Sequence, residues 1–169
     1  MNERVHQLLN EQINKELYSA YLYLDFSNYF KRAGLDGFAN WYYIQAQEER
    51  DHAMLFYQYL QNENETVTLD AIAKPDKEFE KDLDVFLAGL EHEKYVTSLI
   101  NNIYAAAYDV KDFRAMQFLD WFVKEQGEEE TNANDLITKM ELFGTDPRGL
   151  YLLNQELAVR VYTAPSLVL

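Results

Sequence analysis

The chain has 169 residues and is strongly acidic, with 15 Lys and Arg against 29 Asp and Glu and a formal net charge of -14. Its length favours a single domain over residues 1–169, and a hydrophobic content of 48% is ample for a buried core. An acidic surface repels phosphates, so nucleic acids and anionic membranes are poor candidates as partners, whereas cations are attracted. Since the chain has no Cys, disulfides, thiolate-bound zinc and iron–sulfur clusters are excluded.

The positions of proline and glycine predict four long helices and a short fifth one. The three Pro residues, at positions 75, 147 and 165, leave two long proline-free runs, which are typical of helix. Gly34 and Gly37 divide the first run, and a weaker break at 108–112 divides the second. The predicted helices are Glu3–Ala33, Asp36–Gln61, Glu80–Tyr108, Lys111–Phe143 and Arg148–Arg160, followed by a tail over 163–169. The N-terminus lacks the apolar core of a signal peptide and no segment has membrane-spanning length, which predicts a cytoplasmic protein.

The lengths of the predicted helices and of their connections indicate the topology. Each long helix would extend about 40 Å at about 1.5 Å per residue, the proportion of a four-helix bundle. The polar segment 62–79 can run the length of such a bundle, so we expect the second and third helices to be parallel. The short flanking connections make their helix pairs antiparallel. The predicted fold is all-α, a four-helix bundle over residues 3–143 with a long crossover at 62–79 and a short C-terminal fifth helix.

A stripe of apolar residues at heptad spacing follows each long helix and marks the face toward the bundle interior. On the third helix this stripe predicts a buried face made of Leu83, Phe86, Leu90, Glu93, Thr97, Ile100 and Tyr104. Near its middle each stripe is interrupted by a carboxylate, in chain order Glu16, Glu49, Glu93 and Glu129. Because each interruption lies near the midpoint of its helix, we expect the four side chains to meet at one level. Buried ionised carboxylates are very costly without a counter-charge, and the stripes contain no Lys or Arg. The layer therefore requires protons or metal cations.

The spacing of the polar residues favours a metal site. Glu49 and His52 lie three residues apart on one helical face, so both can bind the same ion. Oxygen donors with a single imidazole are the ligands expected for iron or manganese. Ferritin-like di-metal bundles use one Glu from each of two helices and Glu-x-x-His from each of the other two. This chain matches that pattern except in the fourth helix, which has Gln126-x-x-Glu129.

The sequence resembles the bacterial non-haem ferritins over nearly the whole chain. The resemblance is carried by KELYSAYLYL, QAQEERDHA, HEKYV and WFVKEQGEEE in the expected order and spacing. It implies iron storage with ferroxidase activity, in which dioxygen oxidises Fe(II) at a diiron centre inside each subunit. It also implies that Fe(III) is stored as a mineral inside a homo-oligomeric shell of twenty-four subunits.

The resemblance also implies the roles of individual residues. One iron would be held by Glu16, Glu49 and His52, and a second by Glu49, Glu93 and Gln126, with Glu49 bridging the two. A third iron site beside the pair would have four carboxylate ligands, Glu48, Glu125, Glu128 and Glu129. Tyr23 corresponds to the tyrosine that these proteins place next to the diiron centre, and Trp121 is a further redox-active candidate.

Related families and simpler interpretations differ in identifiable residues. Bacterioferritins place a haem-ligating Met inside the Glu-x-x-His, where this chain has Arg50 and Asp51, so no haem is expected. Rubrerythrins carry a cysteine-ligated iron domain, and the ferritin-like DNA-protection proteins lack the fifth helix. From the residues alone, Glu125 and Glu128 fit a charged outer face equally well. His6 and His92 have no partner at ligand spacing and are expected at the surface, as ordinary surface histidines.

Two functions of other classes stay open on the residues alone. The first is a diiron oxidase or oxygenase acting on an organic substrate. The second is a non-enzymatic bundle whose polar layer only sets the register of the helices. Particle size and iron uptake distinguish both from a storage shell.

Overall fold

The structure is a computed structural model that describes residues 1–169 and contains five helices and no strand. The helices are α1 (Glu3–Arg32), α2 (Asp36–Asn62), α3 (Asp82–Asp109), α4 (Phe113–Phe143) and α5 (Pro147–Ala158). Every predicted helix is present, with ends at most two residues from the predicted ones. None of the five is long and apolar enough to cross a membrane.

Local side chains explain where several helices begin. The Asn2 side chain accepts hydrogen bonds from the backbone N–H groups at the start of α1, and Asp112 and Asp146 do the same for α4 and α5. Between α1 and α2 the chain reverses at Gly34, whose φ of 79° lies in the region that favours glycine. These caps satisfy backbone donors that a helix cannot pair internally.

Two apolar clusters fill the bundle, one toward each end, and their membership gives the topology. The lower cluster joins the first halves of α1 and α4 to the second halves of α2 and α3, and includes Val5, Phe56, Ile100 and Phe118. The upper cluster joins the opposite halves and part of α5, and includes Phe30, Phe38, Phe86, Met140 and Leu153. Thus α2 and α3 are parallel, and the pairs α1–α2 and α3–α4 are antiparallel, as predicted.

The crossover, residues 63–81, lies extended along α1 and forms no strand, although Thr66-Val67-Thr68-Leu69 alternates polar and apolar residues. Side chains one helical turn apart on α1 donate to carbonyl oxygens two residues apart on the crossover, His6 to Thr66 (2.8 Å), Asn10 to Thr68 (2.9 Å) and Asn14 to Asp70 (3.3 Å). Four helical residues rise about 6 Å and two extended residues about 6.8 Å, so the repeats nearly match. This alternating segment therefore packs along a helix instead of pairing with another strand.

The fifth helix packs across the start of α2. The Asn154 side-chain oxygen accepts a hydrogen bond from the backbone N–H of Gly37 at 2.8 Å. A Cβ on Gly37 would lie 1.7 Å from the backbone oxygen of Asn154, so the two helices meet at a distance that only glycine allows. This contact directs the residues after α5 toward the outside of α2.

The predicted stripe on α3 is wrong in part. The stripe residues Leu83, Leu90, Thr97 and Tyr104 are only half-buried, whereas Val85, His92, Val96 and Ile103 are buried. The helix packs against both α1 and α4, so its buried face is wider than a single seam and is turned toward α1. His92, predicted at the surface, lies on this turned face and is only 8% exposed. His6 is exposed, as predicted.

Candidate metal centre

A layer of polar side chains lies between the lower and upper clusters. Its four carboxylates, one from each long helix, are Glu16, Glu49, Glu93 and Glu129, and each is at most 6% exposed. Buried amides, a hydroxyl and two imidazoles accompany them, namely Gln12, Gln45, Gln126, Ser19, His52 and His92. Neither Lys nor Arg is buried in this layer. The structure thus gathers the four carboxylates at one level and places no Lys or Arg among them.

Glu16, Glu49 and His52 form the tightest group in the layer. One ligand atom from each lies within 4.8 Å of the others, and no other group of three His, Asp or Glu residues meets this criterion. His52 Nδ1 lies 3.2 Å from Glu49 Oε2. One oxygen of Glu16, Oε1, accepts from Gln12 at 2.9 Å, but Oε2 is buried without any hydrogen-bond partner. An orphaned buried oxygen beside a second carboxylate and an imidazole fits a divalent cation.

Glu93 and Glu129 receive hydrogen bonds from neutral donors. The Tyr23 hydroxyl and the Gln126 amide both donate to Glu93, the amide at 3.1 Å. Gln45 donates to Glu129 at 2.7 Å and, more weakly, to Glu49 at 3.5 Å. These contacts hold the carboxylates in place and leave their charge uncompensated.

Burial sets the protonation of these groups. It raises the pKa of Glu16, Glu49 and Glu129 well above the usual value, and the neighbouring carboxylates raise it further. Burial also raises the pKa of Glu93, although the hydrogen bonds from Tyr23 and Gln126 oppose the shift. The layer therefore retains protons in the absence of a cation, and a metal ion would replace them.

His92 is buried beside the layer without facing its carboxylates. Its Nε2 is hydrogen-bonded to Ser19 Oγ at 2.7 Å, and the ring packs edge-on against Tyr23. Burial, helped by the charge of Lys77, lowers the pKa of His92 to about 4, so the imidazole is neutral at pH 7. Sequence reasoning missed this residue because its helix position lies outside the heptad stripe. Gln12 was missed too, although its place one turn before Glu16 is a usable signal.

Three further glutamates lie outside the layer between α2 and α4, and we call Glu48, Glu125 and Glu128 the outer acidic cluster. Glu48 accepts from Arg160 Nη2 at 2.5 Å, and exposed Glu128 pairs with Lys124 at 3.3 Å. Glu125 is half-buried. The structure does not bring these carboxylates within ligand distance of one another. Each of the two paired glutamates already has a cationic partner from this chain.

Trp121 lies next to the metal-ligand candidates. Its ring packs edge-on against His52 with 5.5 Å between centroids, and its indole N–H donates to Ser166 at 3.0 Å. The indole therefore connects the edge of the layer to the chain after α5.

Comparison with known proteins identifies the fold family. The family model of the ferritin-like domain matches residues 6–143, which span nearly all of α1 to α4. The chain belongs to the ferritin family. Among curated proteins, this ferritin-family chain is 39% identical to the bacterial non-heme ferritin of Campylobacter jejuni, over 92% of this chain and 93% of that one. It is 38% identical to that of Staphylococcus epidermidis, over 91% and 93%.

Solved structures agree with this assignment. An open-pore ferritin from the archaeon Archaeoglobus fulgidus superposes on this ferritin-family chain with a TM-score of 0.93 at 42% identity. The match covers 95% of this chain and 99% of that one, so it includes the fifth helix. Both the resemblance to bacterial non-haem ferritins and the predicted all-α four-helix bundle with a short C-terminal helix are confirmed.

Proposed function

We propose that this chain is an iron-storage ferritin and that its polar layer is a ferroxidase centre, with Fe(II) and dioxygen as substrates. The observation that carries the proposal is the buried group of Glu16, Glu49 and His52, with ligand atoms within 4.8 Å and one oxygen lacking any partner. Membership of the ferritin family supports iron as the metal.

The resemblance to the bacterial non-haem ferritins implies two iron positions in the layer. Glu16, Glu49 and His52 would bind the first Fe(II), and Glu49, Glu93 and Gln126 the second. Glu49 suits a bridging role because one of its oxygens faces His52 and the other faces Gln45. Gln126 is neutral and therefore a weaker ligand than a carboxylate, which suits an ion that must leave after oxidation.

The chain supplies positioning and proton transfer to this reaction. Binding of two dications releases protons from the buried carboxylates, because metal ligation requires the ionised form. Two adjacent Fe(II) ions can each give one electron to the same dioxygen molecule. Tyr23 donates its hydrogen bond to Glu93, and burial together with Glu93 raises the pKa of the phenol well above its usual range. We assign Tyr23 the role of holding Glu93 in place while keeping its own proton.

The space beside the layer favours dioxygen over an organic substrate. A cavity of about 20 Å³ borders Tyr23, Glu93 and Glu129. About 10–15 Å³ is enough for one water molecule, so this pocket has room for a diatomic molecule, and an organic substrate would have to displace the side chains that line it. This observation counts against the alternative of a diiron oxygenase acting on an organic compound.

We infer that copies of the chain assemble into a hollow shell of twenty-four subunits, as the family resemblance implies, with mineral inside. Large apolar side chains of α5 and the residues after it are between 62% and 76% exposed, namely Tyr151, Leu152, Val159 and Val161. Such a patch is typical of a surface that another copy covers. The Archaeoglobus fulgidus relative is described as having an open pore, which fits a hollow particle.

A third iron position is proposed at the outer acidic cluster together with Glu129. To bind there, iron would have to replace the contacts of Glu48 with Arg160 and of Glu128 with Lys124. We expect this position to be weaker than the two in the layer, since its carboxylates are more exposed to solvent.

Aerobic Fe(II) titration of the full-length protein, followed by size-exclusion chromatography with iron detection, tests the proposal. We expect a particle many times the 19.9 kDa chain mass and far more than three irons per chain. A small species that stops at two irons would favour the oxygenase. A protein that takes up no iron, with an unchanged melting temperature, would favour the structural bundle.

A further inference from the structure

The chain after α5 runs along the outside of α2 toward its far end, and we call residues 159–169 the C-terminal strap. Arg160 donates a hydrogen bond to Glu48 on α2, and Tyr162 donates one to Asp51 a turn further along that helix. Ser166 accepts a hydrogen bond from Trp121 on α4. Leu167 then packs against the lower cluster. The strap therefore passes over the face on which the outer acidic cluster lies.

Within the strap, Arg160 makes the most hydrogen bonds to the rest of the chain. Its guanidinium donates to Glu48 at 2.5 Å, to Gln45 Oε1 at 2.9 Å and to the Trp41 carbonyl at 3.2 Å. The same group lies 4.0 Å from the centre of the Trp41 ring, a cation–π contact. The backbone oxygen of Arg160 accepts from Asn40 at 3.1 Å. At 17% exposure, the arginine side chain is largely removed from solvent.

One side chain separates this arginine from the buried layer. Because Gln45 presents its oxygen to Arg160, its amide nitrogen faces the layer and donates to Glu129. The guanidinium is therefore a fixed positive charge at the border between the layer and the outer acidic cluster. A dication bound by Glu48 would meet both the loss of this ion pair and repulsion from the charge left beside it.

We propose that Arg160 is a built-in competitor for metal at Glu48, so that metal binding on the outer acidic cluster is weaker than in the buried layer. The inference rests on the proposed function, since it concerns the route of iron out of the layer. A weak outer position lets iron pass toward the interior of the shell without being retained there. Arg160 is thus a specificity-determining residue that acts through Glu48.

Zn(II), which is not oxidised, is the probe for this role. Equilibrium dialysis of the assembled full-length protein at pH 7 measures Zn(II) bound per chain against free Zn(II). In Arg160→Gln we expect the third Zn(II) to bind about tenfold more tightly and the first two to bind as in the unsubstituted protein. Arg160→Lys keeps the charge, and we expect it to stay within about threefold of the unsubstituted protein.

Two more variants separate competition from a structural role. The double variant Arg160→Gln with Glu48→Gln lacks the carboxylate for which Arg160 competes. We therefore expect its affinity for the third Zn(II) to equal that of Glu48→Gln alone. Asn40→Ala loosens Arg160 without changing a charge, and we expect an intermediate gain even if Arg160→Gln folds poorly. Melting temperatures of all variants show whether the bundle is intact.

The outcomes are distinguishable. A third Zn(II) step that is unchanged or weakened in folded Arg160→Gln and Asn40→Ala overturns the role of Arg160. A gain that persists in the double variant also overturns it, because the competition would then not act through Glu48. Absence of the first two Zn(II) steps contradicts the proposed function itself, whatever happens at the third.

Discussion

The buried layer and the outer acidic cluster treat negative charge in opposite ways, although both include glutamates of α2 and α4. In the layer, Glu16, Glu49 and their neighbours are removed from water, and neither Lys nor Arg contacts them. In the outer cluster, Glu48 and Glu128 have cationic partners, Arg160 and Lys124. The first region contains no Lys or Arg, whereas two of the three glutamates in the second already have cationic partners.

The two regions therefore differ in how readily they bind metal. Burying carboxylates without a counter-charge costs free energy that a dication can recover on binding, and the ligand atoms are already close together. In the outer cluster a dication must first displace a side chain and gains less, because water screens the charges. Affinity is expected to follow this order, with the layer filled first.

The largest effect is expected from Glu49→Ala, which removes a ligand from both proposed iron positions. We expect the rate of Fe(II) oxidation by dioxygen to fall by about 100-fold or more, since a carboxylate that bridges the two ions is lost. Stopped-flow absorbance after mixing the assembled protein with Fe(II) and air measures the rate. An unchanged rate would place the reaction outside the layer.

The second effect is the release of protons when metal binds. Because burial raises the pKa of Glu16 and Glu49, both groups stay protonated to a higher pH than exposed glutamates do. Protons then compete with metal, so the affinity for Zn(II) should fall as pH falls. For the metal-free chain, the stability that these protonated groups contribute is present below pH 4.5 and is lost as pH rises through the raised values. Calorimetry in buffers of different ionisation enthalpy should show a net release of protons as metal binds.

A matched variant sharpens that measurement. Glu16→Gln keeps the size and the contact with Gln12 but carries no proton to release, so fewer protons should be displaced. Equal release in both proteins would mean that Glu16 is already ionised before metal binds.

The third effect concerns the pH dependence of stability that results from burying His92 as a neutral imidazole. Its pKa is lowered to about 4, so the unfolded chain binds a proton below pH 6.5 that the folded chain does not. The stability that neutral His92 contributes is therefore present above pH 6.5 and is lost as pH falls toward 4, by about 2 kcal/mol at pH 4.5.

The variant His92→Gln tests this directly. It has the same carboxylates as the unsubstituted chain, so their contribution to the pH dependence cancels when the two proteins are compared. We expect the difference in melting temperature between the two proteins to narrow by several degrees between pH 7 and pH 4.5. A difference that is constant with pH would show that folding does not lower the pKa of His92.

The smallest effect is expected from Glu128→Gln. Its side chain is exposed and its pair with Lys124 is screened by water, so we expect Zn(II) affinity at the third step to change by less than about threefold. Dialysis with Zn(II), beside Glu48→Gln as the larger change at the same cluster, measures it. If Glu128→Gln reduced Zn(II) affinity as much as Glu49→Ala does, the outer acidic cluster would bind metal as strongly as the layer.

Most of the fold could be predicted from the sequence because the determining signals are local. The prolines and glycines mark the breaks between helices, and the apolar heptads mark their inner faces. The crossover was recognisable by its length and polarity, which require α2 and α3 to be parallel. Its hydrogen bonds to His6, Asn10 and Asn14 could not be predicted, because they depend on how the extended chain lies against α1.

The candidate ligands could be selected from the sequence because each interrupts an apolar stripe near the middle of its helix. Glu49 and His52 added the i, i+3 spacing, which places both on one face. The buried state of His92 could not be deduced in this way. It depends on the rotation of α3 toward α1, and a heptad pattern does not specify which of two adjacent faces a helix buries when it has two neighbours.

Patterns within each helix are enough to specify the number and length of the helices, their order in the bundle and the identity of four carboxylates at one level. The pairing of charges that are distant in sequence depends on the tertiary structure. Arg160 and Glu48 are separated by 112 residues and meet only because α5 directs the strap back along α2. Electrostatic pairing depends on distance in space and on burial, and a linear pattern records neither for residues so far apart.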